Sequence, residues 1–274
     1  ESGDVMAAET SLEKAIEKHP MDAELRSTVA SRRLAEGRIE VAQALLDGTP
    51  PNIDHPELHI VEGRLHLARA DRRRDGTGET DQLLLGSAIQ SFQSALQLNR
   101  ELGVAWLGLA RTQRLMKNLD EANESLTRAK RLLGDTDSSC SIEAALLAID
   151  TDDIHAATRY IDAAEIQGSG PTIAYVRGNI AIKSGDAERA IAMYTETLNE
   201  RPKHIRARLN RISCYLGLDR AVEAKDDANI LLSLAPELAV AVFAKADAQA
   251  RLGEWEEAKK GFLAVLEQAP HHHM

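Results

Sequence analysis

Residues 171–204 read PTIAYVRGNIAIKSGDAERAIAMYTETLNERPKH, and parts of this stretch return downstream at a fixed distance. Ala190, Tyr194 and Pro202 are followed 34 residues later by Ala224, Ala228 and Pro236, and after the same interval by Ala258, Phe262 and Pro270. A strict self-similarity of this length marks stacked copies of one helical hairpin, each unable to bury its apolar face alone. It predicts an extended binding surface rather than a globule around a central pocket. Counting back with the same period gives frames starting at Ala239, Ile205, Pro171, Asp137 and Gly103. Position 20 of these frames is Ala258, Ala224, Ala190, Ala156 and Ala122. Position 24 is Phe262, Ala228, Tyr194, Tyr160 and Leu126, and position 8 is Ala246, Ile212, Gly178, Ala144 and Ala110.

The physical logic of the columns is direct. Small residues at positions 8 and 20 let the first helix of each hairpin (helix A) approach the second (helix B), and the residue at position 24 fills the space beside them. Proline at position 32 cannot continue helix B and fixes its end. Gly185 and Gly253, at position 15, suit a left-handed turn between A and B.

These residues resemble the tetratricopeptide repeat family. Trp106, Ala110, Ala122, Leu126 and Ala129 carry its pattern in one frame, and Gly178, Gly185, Ala190, Tyr194 and Pro202 in another. Position 4 departs from it with Cys140, Ala174, Arg208 and Val242, and position 32 with Gly134 and Gly168. Upstream, Ala88, Phe92 and Ala95 mark a further helix B, with Gly63 at position 8 of its helix A. That repeat runs from 56 to 102 with a 13-residue insertion near 71–82, expected to be a loop or an extension of helix A. The predicted boundaries are a half repeat at 1–22, then 23–55, 56–102, 103–136, 137–170, 171–204, 205–238 and 239–272. The half repeat rests on Gly3, Ala8, Leu12, Ala15 and Pro20. An array opening on a half repeat and ending without a polar capping helix is expected to be a segment of a longer protein. The resemblance implies an all-α, right-handed superhelical solenoid of about fifteen helices.

Composition agrees. The 274 residues are 43% hydrophobic but only 3% aromatic, which suits close helix packing through Ala and Leu and disfavours sheets. A net charge of −10 argues against nonspecific nucleic-acid binding. No run of eighteen apolar residues offers a membrane span. Cys140 and Cys214 fall in non-adjacent repeats, too far apart for a disulfide.

Catalytic chemistry is not expected. His55 and His59 have the i, i+4 spacing of zinc ligands, but His59 and His66 fall at positions 4 and 11, facing the partner helix, and nothing completes a site. His271, His272 and His273 read as a tag remnant or an ordinary turn. Asp152 with Asp153, and Asp226 with Asp227, read as turn or helix-surface acids, and no nucleophile-elbow, phosphate-loop or zinc-protease spacing occurs. Neither a cofactor nor a metal is expected.

In the resembled family the concave wall is formed by positions 2, 5, 9, 12 and 13 of helix A. That implies a partner-binding groove containing Ile60, Arg64, Leu107, Arg111, Tyr175, Asn179, Arg206, Leu209, Phe243 and Asp247. An apolar column beside isolated polar groups suits an extended peptide or a helix. The family's co-chaperones grip a terminal carboxylate with two asparagines and three cations. Asn179 and Asn210 match the asparagines, but Tyr175, Val240 and Ala244 replace the cations, which argues against that ligand. The insertion contributes Arg72, Arg73 and Arg74 as a second recognition element.

The implied function is non-enzymatic protein–protein interaction. The degenerate, Ala/Leu/Arg-rich style is also similar to long bacterial arrays of cell-envelope and exopolysaccharide-export systems, which implies a periplasmic scaffold. The alternatives are a cytoplasmic regulatory adaptor and a glycan-binding groove using Tyr175, Trp106 and Phe243.

Overall fold

The computed structural model describes residues 14–16 and 18–268. The expectations placed on Gly3, Ala8, Leu12, Pro270 and His271 to His273 lie outside the described residues. Among the described residues every regular element is a helix. Fourteen have defined bounds: α1 Ala23–Ala35, α2 Ile39–Asp47, α3 Pro56–Thr77, α4 Gln82–Leu98, α5 Gly103–Leu115, α6 Leu119–Leu133, α7 Ser138–Asp150, α8 Ile154–Ile166, α9 Pro171–Lys183, α10 Ala187–Glu200, α11 Ile205–Gly217, α12 Ala221–Leu234, α13 Ala239–Arg251 and α14 Trp255–Gln268. Odd-numbered helices are helix A of a hairpin and even-numbered ones helix B. Two compact units form: Glu1–Asp71 with Asp81–Gly134, and Arg72–Thr80 with Asp135–Met274. In the second unit each A packs on its own B and each B on the A that follows; in the first, α1 packs on α2, α4 on α5 and α5 on α6.

The short A–B turns share one device. Gly37, Lys117, Asp152, Gly185, Asp219 and Gly253 take φ between 58° and 78°. The residue after each donates its N–H to a carbonyl five residues back, as in Asp186 to Ala181 and Glu254 to Gln249, both at 2.9 Å. One left-handed residue thus reverses the chain and satisfies a carbonyl that the helix end leaves open.

Packing between A and B is decided by single carbon atoms. A Cβ on Gly178 would lie 2.5 Å from the Tyr194 ring, and one on Gly63 would lie 2.8 Å from the Phe92 ring. Both rings are fully buried. Volume is exchanged between the two positions in the next repeat, where Ile212 at position 8 accompanies Ala228 at position 24 in one buried cluster. The position-20 alanines Ala122, Ala190, Ala224 and Ala258 are all buried, as are Ala42 and Ala88 upstream.

One repeat is shifted from the expected register. Helix α7 starts at Ser138, the turn to α8 has Asp152 as its left-handed residue, and Ala145, Ala157 and Ile161 are 0% exposed, against 3% for Ala144, 7% for Ala156 and a half-buried Tyr160. The period had assigned Ala144, Ala156 and Tyr160 to those places. The doublets Ala144–Ala145 and Ala156–Ala157, with Ile161 after Tyr160, make both registers readable in the sequence. Burial selects the later one.

The insertion is helical, not a loop, as far as Thr77. Helix α3 continues past the usual turn and carries Arg72, Arg73 and Arg74 on its last turns, where Arg72 and Arg73 are exposed. Asp81 then caps α4, its carboxylate accepting from Leu83 and Leu84 N–H at 3.0 and 3.1 Å.

The close approaches make a paired prediction in unit 1. Within α4, a Cβ on Gly86 meets nothing within 4 Å, whereas one on Gly108 in α5 would lie 2.4 Å from the buried Phe92 ring. Gly86→Ala is expected to raise the unfolding free energy by ~0.5–1 kcal/mol through lost chain entropy. Gly108→Ala is expected to lower it by about 1–2 kcal/mol, overpacking outweighing the same gain. Urea unfolding followed by circular dichroism measures both.

Candidate functional site

In unit 2 the helix A faces of α9, α11 and α13 bring several expected residues together. Tyr175 on α9 is half-buried, with its ring centroid 4.8 Å from that of His204 and 6.0 Å from that of Tyr194. His204 is itself fixed as the cap of α11, Nδ1 accepting the Ala207 N–H at 3.1 Å. Beneath this stack the Tyr194 hydroxyl donates to Asn179 Oδ1 at 2.8 Å. Asn210 Nδ2 donates to the same oxygen at 3.1 Å and to the Tyr194 hydroxyl at 3.2 Å. Burial pushes the Tyr194 phenol well above its ordinary range, so it remains a neutral donor. This three-residue knot ties α9, α10 and α11 at one point. Among the described residues, Asn179 Nδ2 and Asn210 Oδ1 take no protein partner, leaving one donor and one acceptor side by side.

The other expected groove residues of unit 2 lie around this knot or along the same faces. Leu209 is half-buried beside it on α11. Phe243 on α13 is 38% exposed and meets Phe262 edge-on, with ring centroids 5.4 Å apart. Asp247 pairs with Arg251 at 3.2 Å. Arg206 is held by Asp75 of the Arg72–Thr80 segment at 3.1 Å, so its charge is already engaged.

In unit 1 the outcome is mixed. Leu107 is half-buried, Arg64 is exposed, and Arg111 pairs with Asp71 at 2.8 Å. Ile60 is not available to a partner. It is 1% exposed inside the cluster around Phe92, Leu85 and Leu109, where neighbouring helices cover it.

Two assignments of chemistry change or sharpen. Asp227 is not a surface acid. It is 4% exposed and accepts from Arg208 Nη1 at 2.8 Å and from Arg211 Nε and Nη2 at 2.7 and 2.8 Å. Arg208 stands at position 4, and its Nη2 also donates to the Pro202 carbonyl at 2.9 Å. Arg26 and Trp106, at the same position, reach the carbonyl six residues back in the same way, at 3.3 and 2.9 Å. In these three repeats position 4 ties the start of helix A to the segment before it, through a guanidinium or an indole donor. His59 is occupied by carboxylates: Glu62, 3.6 Å from Nδ1, and Asp54, 2.7 Å from Nε2, raise its pKa against the opposing effect of burial. No disulfide joins Cys140 and Cys214, both buried. Among the described residues no helix is long and apolar enough to cross a membrane.

Comparison with known proteins agrees with this geometry. Residues 181–226 and 241–272 each match a family model described as tetratricopeptide repeat. RNA polymerase II-associated protein 3 of Rattus norvegicus is 30% identical over 94 residues, 34% of this chain and 14% of that protein. The structure of the APC/C hetero-tetramer Cut9–Hcn1 superposes with a TM-score of 0.66 at 17% identity, covering 97% of this chain and 57% of that one. PilW, a type IV pilus biogenesis factor, superposes with a TM-score of 0.61 at 17% identity, covering 78% of this chain and 94% of its own. The chain thus spans only part of the first two proteins.

The Arg208–Asp227–Arg211 network makes a stability prediction. Asp227→Asn leaves two guanidinium groups without their carboxylate, one of them in Arg208, which is 6% exposed. Unfolding free energy is expected to fall by about 3–5 kcal/mol, the cost of a broken buried pair. The double replacement Arg208→Met/Asp227→Leu is expected to recover part of that loss, as read by urea denaturation.

Proposed function

Because the chain is a tetratricopeptide-repeat protein, we propose that it is a non-enzymatic interaction scaffold that binds an extended peptide of a protein partner along α9, α11 and α13. Proteins of this family bind peptides or proteins and are generally scaffolds rather than enzymes. The observation that carries the reading is the Asn179–Tyr194–Asn210 knot. A backbone peptide group presents one carbonyl and one N–H. Asn179 Nδ2 and Asn210 Oδ1 offer the complementary donor and acceptor at fixed spacing, held by bonds of 2.8–3.2 Å to a buried hydroxyl. Side chains on either side of that peptide group meet Tyr175, Leu209 and Phe243, apolar surfaces suited to anchoring. Arg206 plays no part while Asp75 holds it.

Within that class we favour bacterial envelope secretion or exopolysaccharide assembly, with the chain in the periplasm. The support is the degenerate Ala/Leu/Arg-rich style of its repeats, and the likeness to PilW adds the fold alone. A net charge of −10 favours a protein partner over a nucleic acid.

The test is selection from a displayed library of random dodecapeptides. Enriched peptides are expected to lose about tenfold or more in affinity, one to two hydrogen bonds' worth, on the Asn179→Ala/Asn210→Ala variant. They should lose a similar amount on Tyr175→Ala, with helicity unchanged by circular dichroism. Enriched peptides that bind all three proteins equally would reject this groove.

A further inference from the structure

We propose that the cleft between α4 and α6 in unit 1 is a second binding site, which takes an extended peptide carrying one basic and one acidic side chain about three residues apart. The open cleft has a volume of about 880 Å³. Its lining comes from α4, the α4–α5 turn, α5 and α6, and includes neither Leu107 nor Arg111, the groove positions of α5. It is therefore separate from any helix A groove.

The charges on its α6 wall are sorted by end. Glu121, Glu124, Arg128 and Arg131 follow one another along the face of α6 at intervals of three and four residues. Acids thus occupy the N-terminal half of that face and bases the C-terminal half. Arg100, in the α4–α5 turn, joins the basic end, and Glu101 beside it leaves that end with three bases to one acid. The centres of the two pairs are seven residues apart, ~10 Å along a helix, or about three residues of an extended polyproline II chain, whose three-residue turn puts side chains i and i+3 on one face.

Two features show that these charges are not neutralised internally. Glu124 and Arg128 have the i, i+4 order that favours a helical ion pair. The Arg128 guanidinium instead lies 4.5 Å from the Trp106 ring centroid. Among the described residues none of Arg100, Arg128, Arg131, Glu121 and Glu124 forms an ion pair, although arginines elsewhere in the chain commonly do. The floor is built and fixed: Trp106 Nε1 donates to the Arg100 carbonyl at 2.9 Å, and the buried Ser125 hydroxyl donates to Gln113 Oε1 at 2.7 Å. That bond fixes the Gln113 amide in the cleft wall. A single-sign ligand would satisfy one end and be repelled by the other. A mixed-sign peptide satisfies both.

The test uses the two tryptophan indole N–H signals of the 15N-labelled chain, Trp106 and Trp255, assigned with Trp255→Phe. The probes are three capped Gly/Ser dodecapeptides carrying Lys and Glu, Lys and Lys, or Glu and Glu, three residues apart. The Lys–Glu peptide is expected to move the Trp106 signal saturably, with about tenfold tighter binding than either like-charged peptide at low salt. The Trp255 signal should stay in place. Glu121→Lys/Glu124→Lys, at two exposed positions, should transfer the preference to the Glu–Glu peptide while the circular dichroism spectrum is unchanged. The proposal is overturned by a still Trp106 signal at millimolar Lys–Glu peptide, by equal responses to all three peptides, or by a double variant that keeps the Lys–Glu preference. A response to a glucuronate oligosaccharide but to no peptide also overturns it. Groove variants at Asn179 and Asn210 leave this readout untouched, so the two sites are tested independently.

Discussion

Where helix A crosses helix B there is no room for one more carbon atom. Tyr194 lies where a Cβ on Gly178 would need to be, and Phe92 does the same at Gly63 and Gly108. The hairpin closes because one helix supplies a missing or minimal side chain and the other fills the space with a ring. When the small residue becomes Ile212, the facing position shrinks to Ala228. Once A and B are locked this way, each residue of helix A has a fixed direction. Gly178 lets α10 close on α9, and that approach brings the Tyr194 hydroxyl to Asn179 Oδ1 at 2.8 Å and the Tyr194 ring centroid to 6.0 Å from that of Tyr175. The low aromatic content follows from the same constraint, since a few buried rings per unit suffice when alanine fills most of the interface.

Legibility of the sequence follows the same physics. The starts of α1, α3, α5, α9, α11 and α13 coincide with the frames counted from proline and alanine, because sterics at positions 8, 20 and 32 leave few choices. The α7–α8 repeat misled by one residue, because its doublets satisfy the small-residue rule in both registers and only burial separates them. The inserted stretch carries glycines at 76 and 78, which weaken a helix, yet α3 runs through the first of them and ends just before the second. Ile60 was misplaced for a related reason. Position 5 faces outward only where no neighbouring element covers it.

The polar contacts were the least legible. Arg208 and Asp227 are nineteen residues apart on facing helices, and nothing local in either segment marks them as partners. A charged residue at a position that usually holds an aromatic was the available signal, because a charge buried there requires a counter-charge. The Tyr194–Asn179–Asn210 knot was half visible, since both asparagines match the asparagine positions of the co-chaperone pattern. What could not be read is that a core tyrosine extends its hydroxyl through the floor to orient them. The arginines divide similarly. Arg177, Arg208, Arg211 and Arg220 are bound to carboxylates and serve the fold. Those around Trp106 are not, and their freedom is a property of three helices together.

The claim beneath all of this is that small side chains at the crossing point set the hairpin. The most direct measurement is the unfolding free energy of Ala190→Leu and Ala224→Leu, both at fully buried crossing positions, against Ala192→Leu on the exposed side of α10. Both buried replacements should cost about 1–3 kcal/mol through overpacking, and the exposed one should change stability by no more than about 0.5 kcal/mol. Buried replacements as harmless as the exposed one would contradict the account.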